Sequence, residues 1–367
     1  MAEVVKPRRD LYAEVTNQIV AALEAGTPPW KRPWNPDVAG VSGPINGTTG
    51  RRYRGINTLL LGMSPLSFAS GDPRWLTFKQ AQERGWQVKK GSKAATVVFF
   101  KKVEVGEEAA GTDDDGDRRV VPVLRSYPVF HASQVEGIPT YVPPLPEEVP
   151  WRKPETAATI LDASGIKVRE GGDRAFYSPT TDHIQLPPHS SFAGPGEWAA
   201  TALHELGHAT GHPSRLARDL RGRYGSQAYA MEELRAEIAS AMLATELSIP
   251  ADIPQHASYI DSWLAVLRRD RRAIFAAAAD AQRITDWCLS QYPAYRAAQD
   301  ADAEGDNIAA VTAADEPRPS IPASVAALGP MPTHIARRLN PQPAADAASP
   351  PPPPTVEETP TWTYAPR

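Results

Sequence analysis

The chain has 367 residues and a formal net charge of −4, which leaves room for two domains and a tail. Cys288 is the only cysteine, so an intrachain disulfide is excluded and a reducing, cytoplasmic compartment is expected. The N-terminus lacks the apolar segment of a signal peptide, and no apolar run reaches membrane-spanning length, so we expect no membrane partner.

The first part of the chain predicts a small α/β domain over residues 8–140. Its first element is an amphipathic helix over 10–25, because Leu11, Val15, Ile19 and Leu23 recur every four residues. Further along, the pattern predicts a helix from Trp75 to Arg84, a strand over 95–100, and returning strands at 120–124 and 127–130. For Trp75, Phe78 and Trp86 we favour core positions, since Trp and Phe are largely buried in most proteins.

This part of the chain is strongly basic. Between Trp30 and Lys102 there are thirteen cations (Lys31, Arg32, Arg51, Arg52, Arg54, Arg74, Lys79, Arg84, Lys89, Lys90, Lys93, Lys101, Lys102) and three acids (Asp37, Asp72, Glu83). Cations that follow phosphates, interleaved with aromatic rings that stack on bases, are typical of proteins that bind single-stranded nucleic acid. The candidate binding residues are Trp30, Lys31, Arg32, Trp34, Arg51, Arg52, Tyr53, Arg54, Lys89, Lys90 and Lys93.

This domain contains an acidic insertion, and a proline-rich segment separates the domain from the rest of the chain. Residues 104–117 read as a solvated acidic hairpin, and the proline-rich residues 143–150 read as a stiff linker. A second domain is predicted over 151–296, with a helix at 154–164, a strand at 166–169, a hairpin at 176–187 and a helical pattern over 259–289. Residues 297–367 are rich in Ala, Pro, Asp and Glu and predict a disordered tail, because such a composition cannot bury a core.

The motif of clearest chemical meaning lies in the second domain. Residues 203–208 read Leu-His-Glu-Leu-Gly-His inside an apolar-periodic run that predicts a helix over about 198–212. On a helix, His204 and His208 lie one turn apart on one face and suit two ligands of a Zn²⁺ ion. Glu205 then lies beside them, where it can accept a proton from a water. We expect His183 and His189 at the surface.

A catalytic zinc site needs a third protein ligand. A second amphipathic helix over 229–243 offers Glu233 as the best candidate, and Glu237 shares its face one turn later. Spacing alone leaves open which of the two binds the metal and which orients a histidine, and Glu232 is a weaker candidate. The loop over 215–225 offers Tyr224 or an arginine to polarise a substrate carbonyl. The competing explanation is a helix with two surface histidines and a salt-bridging glutamate.

In these motifs the chain resembles the ArdC-type antirestriction proteins of plasmids and phages, whose N-terminal domain is related to that of conjugative TraC primases. The resemblance rests on residues 10–12, Ile19, 29–34, 46–47, 53–57, 75–78, Gly85, 88–92, 204–208 and 232–237. It implies an α+β protein with an N-terminal domain that binds single-stranded DNA and a C-terminal zincin-like metallopeptidase domain. By the same match, His204 and His208 carry over as ligands, Glu205 as catalytic base and Glu233 as the favoured third ligand.

The expected function is therefore antirestriction by a protein of a mobile element that binds single-stranded DNA and uses Zn²⁺ to hydrolyse peptide bonds. Its expected partners are single-stranded DNA and, as peptidase substrates, restriction enzymes or another protein. One alternative is a non-enzymatic DNA-binding protector with an inactive or structural metal domain. Another is a replication accessory protein that delivers primase to single strands.

Overall fold

The computed structural model describes residues 9–26, 28–30, 43–69, 71–104, 120–143, 154–223, 225–249 and 257–297. Several predicted features lie outside these residues: Lys31, Arg32, Trp34, Tyr224, most of the acidic hairpin, most of the proline-rich linker and nearly all of the tail. None of the helices within the described ranges is both long enough and apolar enough to cross a membrane.

The first half combines short helices with a four-stranded sheet. Its elements are α1 Leu11–Glu24, β1 Ile45–Asn46, α2 Ile56–Gly62, α3 Leu66–Ala69, β2 Arg74–Leu76, α4 Phe78–Glu83, β3 Gln87–Val88, β4 Ala95–Glu104, β5 Val120–His131 and β6 Val135–Glu136. The strand order of the larger sheet is β1-β2-β5-β4, and β3 pairs with β6 separately. Strands β4 and β5 form a long antiparallel pair whose register joins Ala95 to Val129 and Glu104 to Val120.

Two secondary-structure predictions in this half need correction. Trp75 and Leu76 belong to strand β2, because their backbones pair with His131 and Phe130 of β5. The helix begins only at Phe78, after Thr77 caps its first turn. The two short strands expected at 120–124 and 127–130 are one continuous strand, β5, since β4 pairs with it along its whole length.

The second half is mostly helical, so the predicted α+β class is confirmed. Its elements are α5 Glu155–Ala163, β7 Lys167–Glu170, β8 Phe176–Ser178, β9 His183–Leu186, α6 Pro195–Ala209, α7 Gln227–Leu247, α8 Ala257–Arg269 and α9 Ala273–Ser290. Strand β9 lies between β7, which runs parallel to it, and β8, which runs antiparallel. Helix α6 packs against this sheet on one side and against α7 on the other.

The two halves share one apolar core. Ile19 of α1, Leu59 of α2 and Val98 of β4 belong to the same buried cluster as the apolar side chains of α6, α7, α8 and α9. A smaller cluster, formed by Leu61, Trp75, Val97 and Val129, lies on the other side of the β4–β5 pair. Helix α1 contacts α8, and α2 contacts α9. The residues before and after the linker therefore stabilise each other by burial of apolar surface.

Trp30 is part of this joint packing. Its side chain is only 5% exposed, and its ring meets Trp263 of α8 edge to face with 5.6 Å between ring centroids. Trp30 thus anchors residues 28–30 to the helical half.

We predict that Trp30→Ala lowers the free energy of unfolding by about 3–5 kcal/mol, because it removes a large aromatic side chain from a packed core. Urea denaturation of the full chain measures this change. Phe78→Ala is a matched control, since the core position expected for Phe78 is wrong and its side chain is more than half exposed at the start of α4. An effect of Trp30→Ala no larger than that of the control would contradict the assignment of Trp30 to the core.

Candidate metal centre and nucleic-acid interface

Helices α6 and α7 bring three potential metal ligands together. The Nε2 atoms of His204 and His208 lie 3.2 Å apart. The Glu233 carboxylate faces both of them, 3.8 Å from Nε2 of His204 and 3.7 Å from Nε2 of His208. All three side chains are buried, and their ligand atoms lie within 4.8 Å of one another. This set of two imidazole nitrogens and one carboxylate is a donor set of known zinc sites.

Two further carboxylates of α7 lie on the opposite side of the imidazole rings. Glu237 lies 3.7 Å from Nδ1 of His204, and Glu232 lies 3.5 Å from Nδ1 of His208. In metal sites, a carboxylate at the distal ring nitrogen fixes the orientation and tautomer of a ligating histidine. The geometry therefore supports Glu233 as the third ligand and gives Glu237 and Glu232 the orienting positions, a choice that helical spacing leaves open.

Arg218 completes this arrangement from the loop after α6. Its guanidinium donates hydrogen bonds to Glu232 at 2.7 Å, to Oγ1 of Thr210 at 2.7 Å and to the carbonyl of Gly207 at 2.8 Å. Burial alone would raise the pKa of Glu232, but hydrogen bonds from His208 and Arg218 hold it below its ordinary value. The sequence marks this loop as basic, but it does not indicate which arginine turns inward, because a loop has no periodicity to read.

The electrostatics of the site favour a bound cation. Burial, reinforced by neighbouring His208, holds the pKa of His204 well below its ordinary value, so the ring is neutral as a metal ligand must be. Burial lowers the pKa of His208, but Glu233, Glu232 and Glu205 outweigh it and raise that pKa. The acids thus favour a positive charge beside His208. A divalent cation would supply this charge and leave both imidazoles neutral.

Glu205 lies beside the cluster and is almost completely buried. Burial raises its pKa to about 8, and its Oε2 atom has no hydrogen-bond partner among the described residues. An unpaired buried polar atom is costly, and such atoms are expected where a ligand completes a site. The orphaned oxygen and the donor set together fit a site built for a divalent metal and a polar ligand beside it.

A series of aromatic rings links the metal cluster to the first half. Tyr229, one helical turn before Glu233, makes a side-chain hydrogen bond to that carboxylate. Its hydroxyl lies 3.1 Å from that of Tyr259, which stacks on Trp263 at 6.1 Å, and Trp263 in turn contacts Trp30. The spacing of four residues places Tyr229 and Glu233 on one face of a helix, but the predicted site residues do not include Tyr229.

His183 and His189 do not belong to the described cluster, which contains His204, His208 and Glu233. His189 is exposed, as expected, and stacks on Trp198 with ring centroids 4.4 Å apart. The surface position expected for His183 is wrong: the residue is buried, and Oγ1 of Thr181 lies 2.6 Å from its Nδ1. Strand β9 turns this side chain inward between β7 and β8.

The structure corrects one of the predicted nucleic-acid contacts. The burial of Trp30 removes its ring from any surface on which a base could stack. Arg52 pairs with Glu246 of α7 and the exposed Arg54 pairs with Asp286 of α9, and both arginines stay predictions for phosphate contacts. Tyr53 is half-buried against the small apolar cluster.

The remaining candidates fall into two groups. Arg51, Lys89, Lys90 and Lys93 are exposed, and they stay predictions for phosphate contacts. Lys31, Arg32 and Trp34 lie outside the described residues. Residues 52–55 also form a junction between the two halves, where the Gly55 amide donates to Oε1 of Gln282 at 2.9 Å.

Comparison with known proteins agrees with both halves. Residues 9–130 match a family model described as the N-terminal domain of anti-restriction factor ArdC, and residues 155–280 match one described as a zincin-like metallopeptidase. The metal-free structure of the antirestriction ArdC protein from plasmid R388 is 36% identical, with a TM-score of 0.65. Its Mn(II)-bound structure is 37% identical, with a TM-score of 0.62. Each match covers 77% of this chain and 98% of the other.

Three relatives of known sequence also match this chain. A DNA primase TraC of Escherichia coli is 44% identical over 306 residues, which is 79% of this chain and 28% of that protein. A second TraC is 41% identical over 303 residues, and the chain spans 20% of its length. The uncharacterized protein y4eC of Sinorhizobium fredii (strain NBRC 101917 / NGR234) is 41% identical over 288 residues, 92% of its length. The resemblance read from the motifs is confirmed.

We predict that Glu233→Ala weakens zinc binding more than Glu237→Ala does, because the first variant loses a ligand and the second loses only an orienting group. Loss of an orienting carboxylate typically costs about 10–100-fold in metal affinity. Competition with a chromophoric chelator measures both affinities, and Glu155→Ala, on the exposed start of α5, serves as the control. Weaker binding by Glu237→Ala than by Glu233→Ala would exchange the two roles.

Proposed function

The chain belongs to the family of ArdC antirestriction proteins, and on this premise we propose that it protects the incoming DNA of a mobile element from restriction in the cytoplasm. In this proposal the first half binds single-stranded DNA and the second half is a zinc-dependent peptidase. The observation that carries the peptidase assignment is the convergence of His204, His208 and Glu233 beside the buried carboxyl group of Glu205. The zincin-like family match over residues 155–280 supports it.

The proposed chemistry is general-base hydrolysis of a peptide bond. His204, His208 and Glu233 would hold the cation, which when bound would polarise the scissile carbonyl and acidify a water molecule. The charge of a bound cation would lower the pKa of Glu205 from about 8, so that its carboxylate accepts the proton of the attacking water and passes it to the nitrogen of the leaving amine. Glu237 and Glu232 keep the imidazole rings in place, and Arg218 keeps Glu232 ionised while buried.

The DNA-binding part of the proposal rests on the basic surface of the first half and on its family. Exposed cations at Arg51, Lys89, Lys90 and Lys93 suit the phosphates of a single strand, and residues 9–130 match the ArdC N-terminal domain. The priming activity named for the TraC relatives is not part of the proposal, because the chain spans less than a third of their length.

A second candidate function is protection by DNA binding alone, with a metal domain that stabilises the fold. The burial of the centre favours this candidate, because His208 and Glu205 are only 1% and 2% exposed, and a polypeptide substrate would need access to them. Under this candidate the metal contributes to stability and no peptide bond is cut.

We predict that Glu205→Gln keeps its zinc and lowers the rate of peptide hydrolysis by about 10²–10⁴-fold, the usual contribution of a general base. A fluorogenic casein assay on metal-loaded full chain, with zinc content checked in parallel, measures this change. Glu155→Gln is the control on the exposed end of α5. Hydrolysis that survives Glu205→Gln in a zinc-loaded protein would sink the catalytic assignment.

The same variant separates the two candidate functions in cells that receive unmodified plasmid. If Glu205→Gln protects the plasmid fully, DNA binding alone accounts for antirestriction. If the variant retains zinc but no longer protects the plasmid, antirestriction depends on peptide hydrolysis. Restriction enzymes would then be the first substrates to test.

A further inference from the structure

The β4–β5 pair carries aromatic side chains on a face that the nucleic-acid prediction did not include. In the antiparallel register, Val97 pairs with Tyr127 and Phe99 pairs with Arg125. Directly paired residues project to the same face of a sheet, and so do residues two apart along a strand. Phe99 and Lys101 of β4 therefore share one face with Arg125 and Tyr127 of β5. We call these four residues the hairpin face.

The two rings of the hairpin face are unusually exposed for their size. Phe99 is 48% exposed and Tyr127 is 41% exposed. They meet edge to face with 5.8 Å between ring centroids, so each ring holds the other in position. Further along the same face, Val97 and Val129 are buried in the small cluster with Leu61 and Trp75. The exposed rings thus extend from a rigid, packed base.

The opposite face of the pair is partly covered by the N-terminal helix, and its one large exposed aromatic ring among the described residues is that of Phe100, which is 55% exposed. Phe100 lies 6.5 Å from the ring of Tyr12 in α1, and Oγ of Ser126 accepts a hydrogen bond from Arg9. A contiguous pair of exposed aromatic rings, such as the pair on the hairpin face, is typical of a surface that binds a ligand or a partner molecule.

The charges on the hairpin face indicate which kind of ligand this surface binds. Arg125 pairs with Phe99 across the strands, Lys101 follows Phe99 by two residues, and both cations are exposed. Within β4 from Ala95 to Lys101 and β5 from Val123 to Val129, the residues that share this face include no acid. The surface therefore offers flat apolar rings to planar groups and positive charge to anions between them.

We propose that the hairpin face is the surface on which this protein binds single-stranded DNA. Bases stack on Phe99 and Tyr127, and Arg125 and Lys101 contact the phosphates on either side. The partner is a single strand because the bases of a duplex stack on one another and present no free ring face. This inference rests on the proposed DNA binding and assigns it to a surface that the sequence-derived candidates in residues 30–54 and 89–93 leave out.

The first test is binding of a fluorescent oligo(dT) to the full chain by anisotropy. Stacking of a base on an aromatic side chain contributes about 1–3 kcal/mol, so Phe99→Ala and Tyr127→Ala are each expected to weaken binding at least about fivefold. Phe78→Ala is the matched control, because Phe78 is an equally exposed phenylalanine of the same half on α4. Urea denaturation of each variant checks that the fold is retained.

The second test removes charge and leaves the rings. For single strands, each phosphate contact contributes about 0.7 to the slope of log affinity against log salt concentration. Arg125→Gln and Lys101→Gln are each expected to reduce that slope by about this amount. Lys79→Gln on exposed α4 is expected to leave the slope unchanged, since Lys79 pairs with Glu83 one turn away.

The outcomes separate this inference from the function it rests on. Absence of oligo(dT) binding by the wild type would overturn both. If the wild type binds oligo(dT) and Phe99→Ala and Tyr127→Ala bind it equally well, only the assignment to the hairpin face is wrong. The DNA-binding surface would then be sought at Arg51 and the lysines at 89–93. Variants that lose binding to phosphatidylserine vesicles but keep oligo(dT) binding would also overturn it, in favour of a lipid surface.

Discussion

Burial of acidic groups between α6 and α7 is the constraint on which the rest of the helical half depends. Four carboxylates that are almost wholly removed from water meet there: Glu205, Glu232, Glu233 and Glu237. Breaking a buried ion pair is strongly destabilising, because it leaves an uncompensated charge. Arg218 compensates Glu232, whereas burial raises the pKa of Glu205 to about 8 and raises that of Glu233 above its ordinary value. A divalent cation would complete the balance, so metal binding and close packing of the two helices satisfy the same requirement.

The same region explains why the two halves form one body. Glu233 leads through Tyr229, Tyr259 and Trp263 to Trp30 in the first half, and each step is a direct contact. The arginines on either side of Tyr53 reach Glu246 and Asp286 on α7 and α9. Arginines that the sequence pattern predicts as DNA contacts thus also connect the first half to helices of the candidate metal centre. The proposed DNA-binding surface, the hairpin face, lies outside this junction.

What the sequence could predict follows from the range of the interactions involved. The metal motif was predictable because His204 and His208 are related by one helical turn, which is local geometry. Trp75 was assigned to a helix because its pairing with His131 joins residues far apart in the chain. Trp30 was assigned to the surface for a similar reason, since its partner lies on α8. The outward direction of Phe99 depends on the β4–β5 register, which no local pattern reveals.

The measurement that tests the account most directly is the stability of the metal-depleted full chain with and without Zn²⁺. If the buried carboxylates need a cation, zinc at a hundredfold excess over its Kd should raise the free energy of unfolding by about 2.7 kcal/mol. The gain should disappear when His204 and His208 are both replaced by alanine. An equal gain in that variant, or no gain in the wild type, would contradict a metal centre between α6 and α7.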